Sequence, residues 1–103
     1  MRSKNTEKEN VKLIQIDSLH NIDYELTKAI PVKLKTEGDS SLAVYDQLNF
    51  FGLGDTEEEA VTDLLTEIIE IYADLEKNPP AVGSTSALWW DHLKLIMHRK
   101  ANA

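Results

Sequence analysis

Residues 52–77, GLGDTEEEAVTDLLTEIIEIYADLEK, constrain this chain more than any other stretch. Two glycines, Gly52 and Gly54, close an extended segment, and a helix begins at once. Asp55 or Thr56 can serve as its N-cap, with Glu58 or Glu59 completing a capping box. Glu57, Glu58 and Glu59 sit in the first turn, where the helix dipole favours negative charge. Val61, Leu64, Leu65, Ile68, Ile71, Tyr72 and Leu75 follow at helical spacing, and Thr62, Asp63, Thr66, Glu67, Glu70 and Asp74 take the other side. Asn78, Pro79 and Pro80 stop the helix, because proline has no N–H to donate and restricts the residue before it. Burying each large stripe residue contributes roughly 1.5–3 kcal/mol, against about 1 kcal/mol for a cap. The stripe therefore drives folding, and it needs an apolar surface to lie on.

The residues before it supply a sheet. Val11 to Ile16 can form a short strand, and Ser18 to Asn21 read as a turn. Ile22, Tyr24, Leu26, Ile30, Val32 and Leu34 share one parity, while Asp23, Glu25, Thr27, Lys33 and Lys35 take the other. That is strand alternation with one face buried. The run is too long for a single ordinary strand of about 5–6 residues, so a break is expected between Lys28 and Pro31. Pro31 lacks the ladder donor and marks a strand start or an edge. Glu37-Gly38-Asp39-Ser40 reads as a turn, Leu42 to Tyr45 as the next strand, and Leu48 to Leu53 as extended chain. Leu42 and Val44 lie on one face of that strand, and the helix is expected on the sheet's apolar face. Ser84, Thr85 or Ser86 can cap a second helix that runs to about Arg99. The fold class expected is α+β: an antiparallel sheet of three or four strands, one main helix packed on it, and a C-terminal helix. Residues 1–10 are polar and mixed in charge, and a disordered tail is expected there. The 103 residues make one domain.

Several function classes fall away. The chain has no cysteine, which excludes disulfides and Cys-based zinc sites. No apolar run approaches the roughly 20 residues a membrane span needs, and the N-terminus has no apolar core of a signal peptide. A cytoplasmic location and no membrane partner are expected. The net charge of −7 opposes phosphate binding, so no nucleic-acid partner is expected either. His92 and His98 are six apart and diverge on a helix, and His20 falls in a turn, so no metal site and no cofactor is expected. Asp17, Asp23, Asp39 and Asp46 are scattered among tails and turns, and no pair is set out for catalysis. The protein is expected not to be an enzyme. Trp89 and Trp90 point about 100° apart on a helix, so both cannot enter one seam. One belongs to the core; the other is a boundary residue or a contact for a second chain, a role tryptophan often takes. Trp89, Leu93, Ile96 and Met97 lie on one side of this second helix with Leu88 and Leu95 flanking them, and Trp89, Trp90, Leu88 and Leu95 form the candidate interface.

Residues 30–75, and above all GDTEEEA at Gly54–Ala60 with Ile69, Tyr72 and Leu75 beyond it, resemble the HicB-like antitoxin family. The chain departs from the family at Asp46, where a proline is common. The resemblance implies a protein–protein interaction module that neutralises a small basic mRNA-cleaving toxin and is oligomeric, a dimer or a dimer of dimers. It is expected to be a solitary member without the family's DNA-binding domain. The other readings are a self-associating accessory protein with no toxin partner and, behind it, a nuclease-like enzyme.

Ile68 sits at the middle of the stripe. Ile68→Asp should unfold the protein by burying an unpaired charge, while Glu67→Ala should shift the melting temperature by no more than a few degrees. Thermal melts followed by circular dichroism check both.

Overall fold

A computed structural model describes residues 10–101 and has an α+β fold. In chain order the elements are β1 (Asn10–Ile16), β2 (Tyr24–Leu26), β3 (Ile30–Glu37), β4 (Ser40–Tyr45), β5 (Phe50–Gly54), α1 (Glu57–Lys77), α2 (Thr85–Ile96) and β6 (Met97–Arg99). β1, β3, β4 and β5 make one antiparallel sheet in that order, and β2 pairs with β6 in a second, two-stranded sheet. The expected tail lies outside the described residues except for Asn10, which opens β1. No described helix is long and apolar enough to cross a membrane.

The long alternating run breaks where Lys28 to Pro31 predicts. Tyr24–Leu26 leave for the small sheet, and Ile30 starts β3. Pro31 is the second residue of a strand flanked on both sides, yet β4 does not begin to pair until Lys33. At Pro31 the strand is still an edge on that side, so the missing donor costs no ladder bond. Gly38 turns the β3–β4 hairpin with φ +61, a conformation that favours glycine.

α1 lies over β5 and β4. Thr56 is its N-cap, its hydroxyl accepting from the Glu59 amide at 3.1 Å, and the Glu59 carboxylate accepts from the Asp55 amide at 2.9 Å. Leu64, Leu65, Ile68, Tyr72 and Leu75 are buried as the stripe requires, and Ala60 joins them. They rest on the sheet face formed by Ile30, Val32, Leu34, Ser41, Ala43, Tyr45 and Phe50. Leu42 and Val44 are not part of that face. They share one face, as their parity requires, and it is the side of the sheet opposite α1.

The reason is the closeness of α1. A Cβ on Gly52 would collide with the Leu64 backbone amide and stand 2.5 Å from the Ala60 carbonyl. One on Gly54 would stand 2.5 Å from Glu59 Cβ. Under the helix, Gly54 is opposite Ser41, and Gly52 is opposite Ala43. Only small residues fit there, so the bulky Leu42 and Val44 face outward. Neither Gly52 nor Gly54 has a positive φ; they matter through the side chain they lack.

The second helix is shorter than expected. Ser84 caps it, accepting from the Ala87 amide at 3.1 Å, but the helix ends at Ile96. Met97 is extended at φ −151 and ψ 165 and opens β6, with Leu26 opposite Met97 and Tyr24 opposite Arg99. The C-terminal helix expected to reach Arg99 therefore gives up its last turn to a strand.

Gly52→Ala should destabilise the fold by about 3 kcal/mol, because backbone rather than a flexible side chain meets the new methyl group. The melting temperature should fall by more than about 10 °C, measurable by calorimetry.

Candidate functional site

The four residues singled out in the second helix divide into two pairs. Trp89 stands edge-on to Phe50, centroids 5.2 Å apart, and Trp90 is tilted against Tyr72 at 5.0 Å with Lys94 Nζ 5.2 Å from its ring. Both tryptophans are half-buried; Trp89 packs on Phe50 of β5 and also faces α1, and Trp90 packs on Tyr72 of α1. The fully buried positions of α2 go to Leu93 and Ile96. Leu88 and Leu95 share the outer side of α2 and are 68% and 67% exposed. The structure thus gives each tryptophan a packing partner and leaves the leucines open.

Where α1 meets α2, a cleft of about 310 Å³ is lined by Glu67, Glu70, Ile71, Asp74, Leu75, Ser86 and Trp89. Its carboxylates belong to the exposed side of α1, which also carries Glu58, Glu59 and Asp63. Among the described residues, Glu58, Glu67, Glu70 and Asp74 form no ion pair. The cleft joins an apolar floor, an aromatic face and a carboxylate rim, the chemistry that holds a long cationic side chain.

The other polar clusters are spent within the fold. The Tyr45 hydroxyl, buried beneath α2, donates to Gln47 Oε1 at 2.8 Å and meets His92 Nε2 at 2.7 Å. With its one proton on Gln47, it accepts from His92 Nε2–H, which sets a neutral tautomer. Burial, reinforced by the charge of Lys28, holds His92 below the ordinary imidazole value, and burial raises the Tyr45 hydroxyl. Arg99 Nη2 donates to Glu76 Oε1 at 2.8 Å and to the Tyr24 hydroxyl at 2.9 Å, with its guanidinium 5.0 Å from the Tyr24 ring. That cluster ties β6 to the end of α1, and the Arg99 bond is the main cause of the lowered Glu76 pKa. At the other end, Glu57 takes Lys12 at 3.0 Å and a hydrogen bond from Thr36 at 3.2 Å, fixing the start of α1 to β1 and β3.

Thr27, His98 and Glu25 line up as hydroxyl, imidazole and carboxylate, at 3.1 Å and 2.8 Å. The order suits a relay to a nucleophile. All three are exposed, however, and Glu25 is simply opposite His98 in the β2–β6 pair. Nothing keeps water from the hydroxyl. Among the described residues no three of His, Asp and Glu gather as metal ligands.

Comparison with protein-family models, with curated proteins and with solved structures finds no match.

The sequence reading missed two features. One is the Tyr45–His92 contact, for which spacing gives no signal because the residues are 47 apart in sequence. The other is the outer face of the sheet. Its signal was present, in two apolar side chains of β4 at the parity opposite to the one that meets the helix.

His92 gives a pH test. Its proton affinity is lower folded than unfolded, so the unfolded chain binds the extra proton. The contribution is complete above the ordinary value of 6.5 and is lost as pH falls from there toward the folded pKa. Melts between neutral and mildly acid pH should show wild type losing more stability than His92→Gln.

Proposed function

We propose that this chain is a HicB-like interaction module that acts by binding, and that it neutralises a small basic mRNA-cleaving toxin as an antitoxin. The observation that carries the reading is the exposed side of α1, acidic from Glu58 to Asp74 and without intramolecular countercharge among the described residues. A basic partner supplies that countercharge, and complementary fields of this kind speed and orient association. The cleft against α2 supports it further. Ile71 and Leu75 can take the stem of an arginine or lysine, Trp89 its cationic face, and Glu67, Glu70 and Asp74 its charge. The GDTEEEA segment at the start of α1 is the sequence basis for naming the family. A second reading, a self-associating accessory protein with no toxin, is favoured by the apolar outer face of the sheet.

The test pairs this chain with the product of the neighbouring reading frame. A small basic protein should be captured at low salt and released at high salt. Reversing Glu67, Glu70 and Asp74 to lysine should weaken capture by roughly 100-fold or more. Failure to bind a basic neighbour, or binding indifferent to the reversal, would overturn the assignment.

A further inference from the structure

We infer that β1 is a docking edge for an extended segment of a partner protein, one with apolar residues at every second position and a lysine or arginine beside them. The four-stranded sheet has two edges, and they are not alike. At β5 the outward Leu53 amide donates to Asp63 Oδ2 at 2.9 Å, which closes that edge from within. At β1, among the described residues, no strand and no side chain pairs with the backbone on the side away from β3.

Register decides which groups of β1 are bare. A two-residue turn, Gly38 and Asp39, joins β3 to β4, so Glu37 and Ser40 form a hydrogen-bonded pair. Bonded and non-bonded pairs then alternate along an antiparallel ladder. Lys35 and Lys33 therefore bond toward β4, and Leu34 and Val32 bond toward β1. Their partners Lys12 and Ile14 spend their N–H and C=O groups on β3. Val11, Leu13 and Gln15 are left with theirs facing away from the sheet. Pro31 agrees with this order: it stands opposite Gln15 in a pair that exchanges no bond. A bare edge of this kind is a template for one more strand. Lysine often guards such an edge, but Lys12 has its ammonium on Glu57 at 3.0 Å.

Side chains of an added strand alternate between the two faces of the sheet, as those of β1 do. On the inner face they meet a cleft of about 400 Å³ between β1 and the first turns of α1. Ile14, Ile16, Leu34, Val61 and Leu65 line it. The cleft exists because α1 lies over β5 and β4 and leaves the β1 side of the inner face uncovered. One strand thus offers a ladder and, beside it, an apolar seat. The seat selects the chemistry. Its size and apolar lining suit valine, isoleucine or leucine side chains. Glu57 and Glu58 stand at its rim; Glu57 holds Lys12, while Glu58 has no ion pair among the described residues. One carboxylate therefore remains for a cation on the incoming segment. The residues that precede β1 do not suit the seat, since after Met1 they read RSKNTEKE, with no apolar side chain. A second copy suits it poorly, because it sets one net charge of −7 against another.

This seat is separate from the acidic cleft between α1 and α2, and the two are tested apart. The probe is a blocked peptide, Lys-Thr-Val-Thr-Val-Thr-Lys, matched to the seven residues of β1 and reading the same from either end. Added at about ten times its Kd, it should slow hydrogen exchange at the Val11, Leu13 and Gln15 amides by about tenfold. The Lys12 and Ile14 amides, already bonded to β3, should change far less. Proline for the central threonine of the peptide removes a donor that faces β1 and should weaken binding by about tenfold or more. Val61→Lys alters a half-buried position on α1, should keep the native circular dichroism spectrum, and should weaken binding by a similar factor. Reversing Glu67, Glu70 and Asp74 to lysine should leave the affinity for this peptide within about threefold at physiological salt. A peptide that does not bind at about millimolar concentration overturns the inference. So does binding that the proline substitution leaves intact, or protection that falls elsewhere than on the β1 edge. Slow exchange at Val11, Leu13 and Gln15 without peptide, deepening as the protein is concentrated, assigns the edge to a second copy and overturns it too.

Discussion

The fold depends on how closely α1 can approach β5. Gly52 and Gly54 present bare backbone to the helix, and Ala60 meets them from the other side with the smallest side chain that keeps helical propensity. The approach has two consequences. It brings Leu64 and Ile68 deep enough to be fully buried over the sheet, where each contributes roughly 1.5–3 kcal/mol. It also dictates the rest of the sheet's inner face. Opposite the glycines stand Ser41 and Ala43, and the bulky residues of β4 are displaced to the far side.

A second layer closes the end of the core that α1 leaves open. Tyr45 and Phe50, opposite each other at the β4–β5 hairpin, receive His92 and Trp89 from α2. Tyr72 on α1 takes Trp90 on one side and Tyr24, edge-on at 5.3 Å, on the other. The Tyr24–Glu76–Arg99 cluster then holds the small sheet to α1. An ion pair as exposed as Arg99–Glu76 adds little stability, so its effect is chiefly to fix orientation. Aromatic packing and the buried Met97, Leu93 and Ile96 supply the cohesion.

Two surfaces of opposite character result. One side of the molecule carries the acidic exposed face of α1 and its cleft against Trp89, the proposed seat of a basic partner. The other carries the outer face of the sheet, where Leu42, Val44, Phe51 and Leu53 lie beside Lys33 and Lys35. Strands and a capped helix are rigid supports, which limits the entropy lost on association.

Much of this was legible in the sequence. The buried stripe from Leu64 to Leu75, the stop at Asn78 to Pro80 and the break before Pro31 were legible from local rules, which for the caps narrowed the choice to a few neighbours, Thr56 and Ser84 among them. Periodicity, capping and proline chemistry act within a few residues, and the chain states them outright. Three matters needed the tertiary structure. Parity showed that β4 has two faces but could not choose between them; the space beneath α1 chose Ser41, Ala43 and Tyr45. Helical spacing continued past Ile96, with no glycine or proline to end it. The chain turned extended there because Met97 to Arg99 found a strand, Tyr24 to Leu26, about 70 residues away. Trp89 and Trp90 looked like competitors for one seam, yet Phe50 and Tyr72 lay on two sides of the helix to receive them. In each case the deciding partner is distant in sequence, and only packing brings it near enough to act.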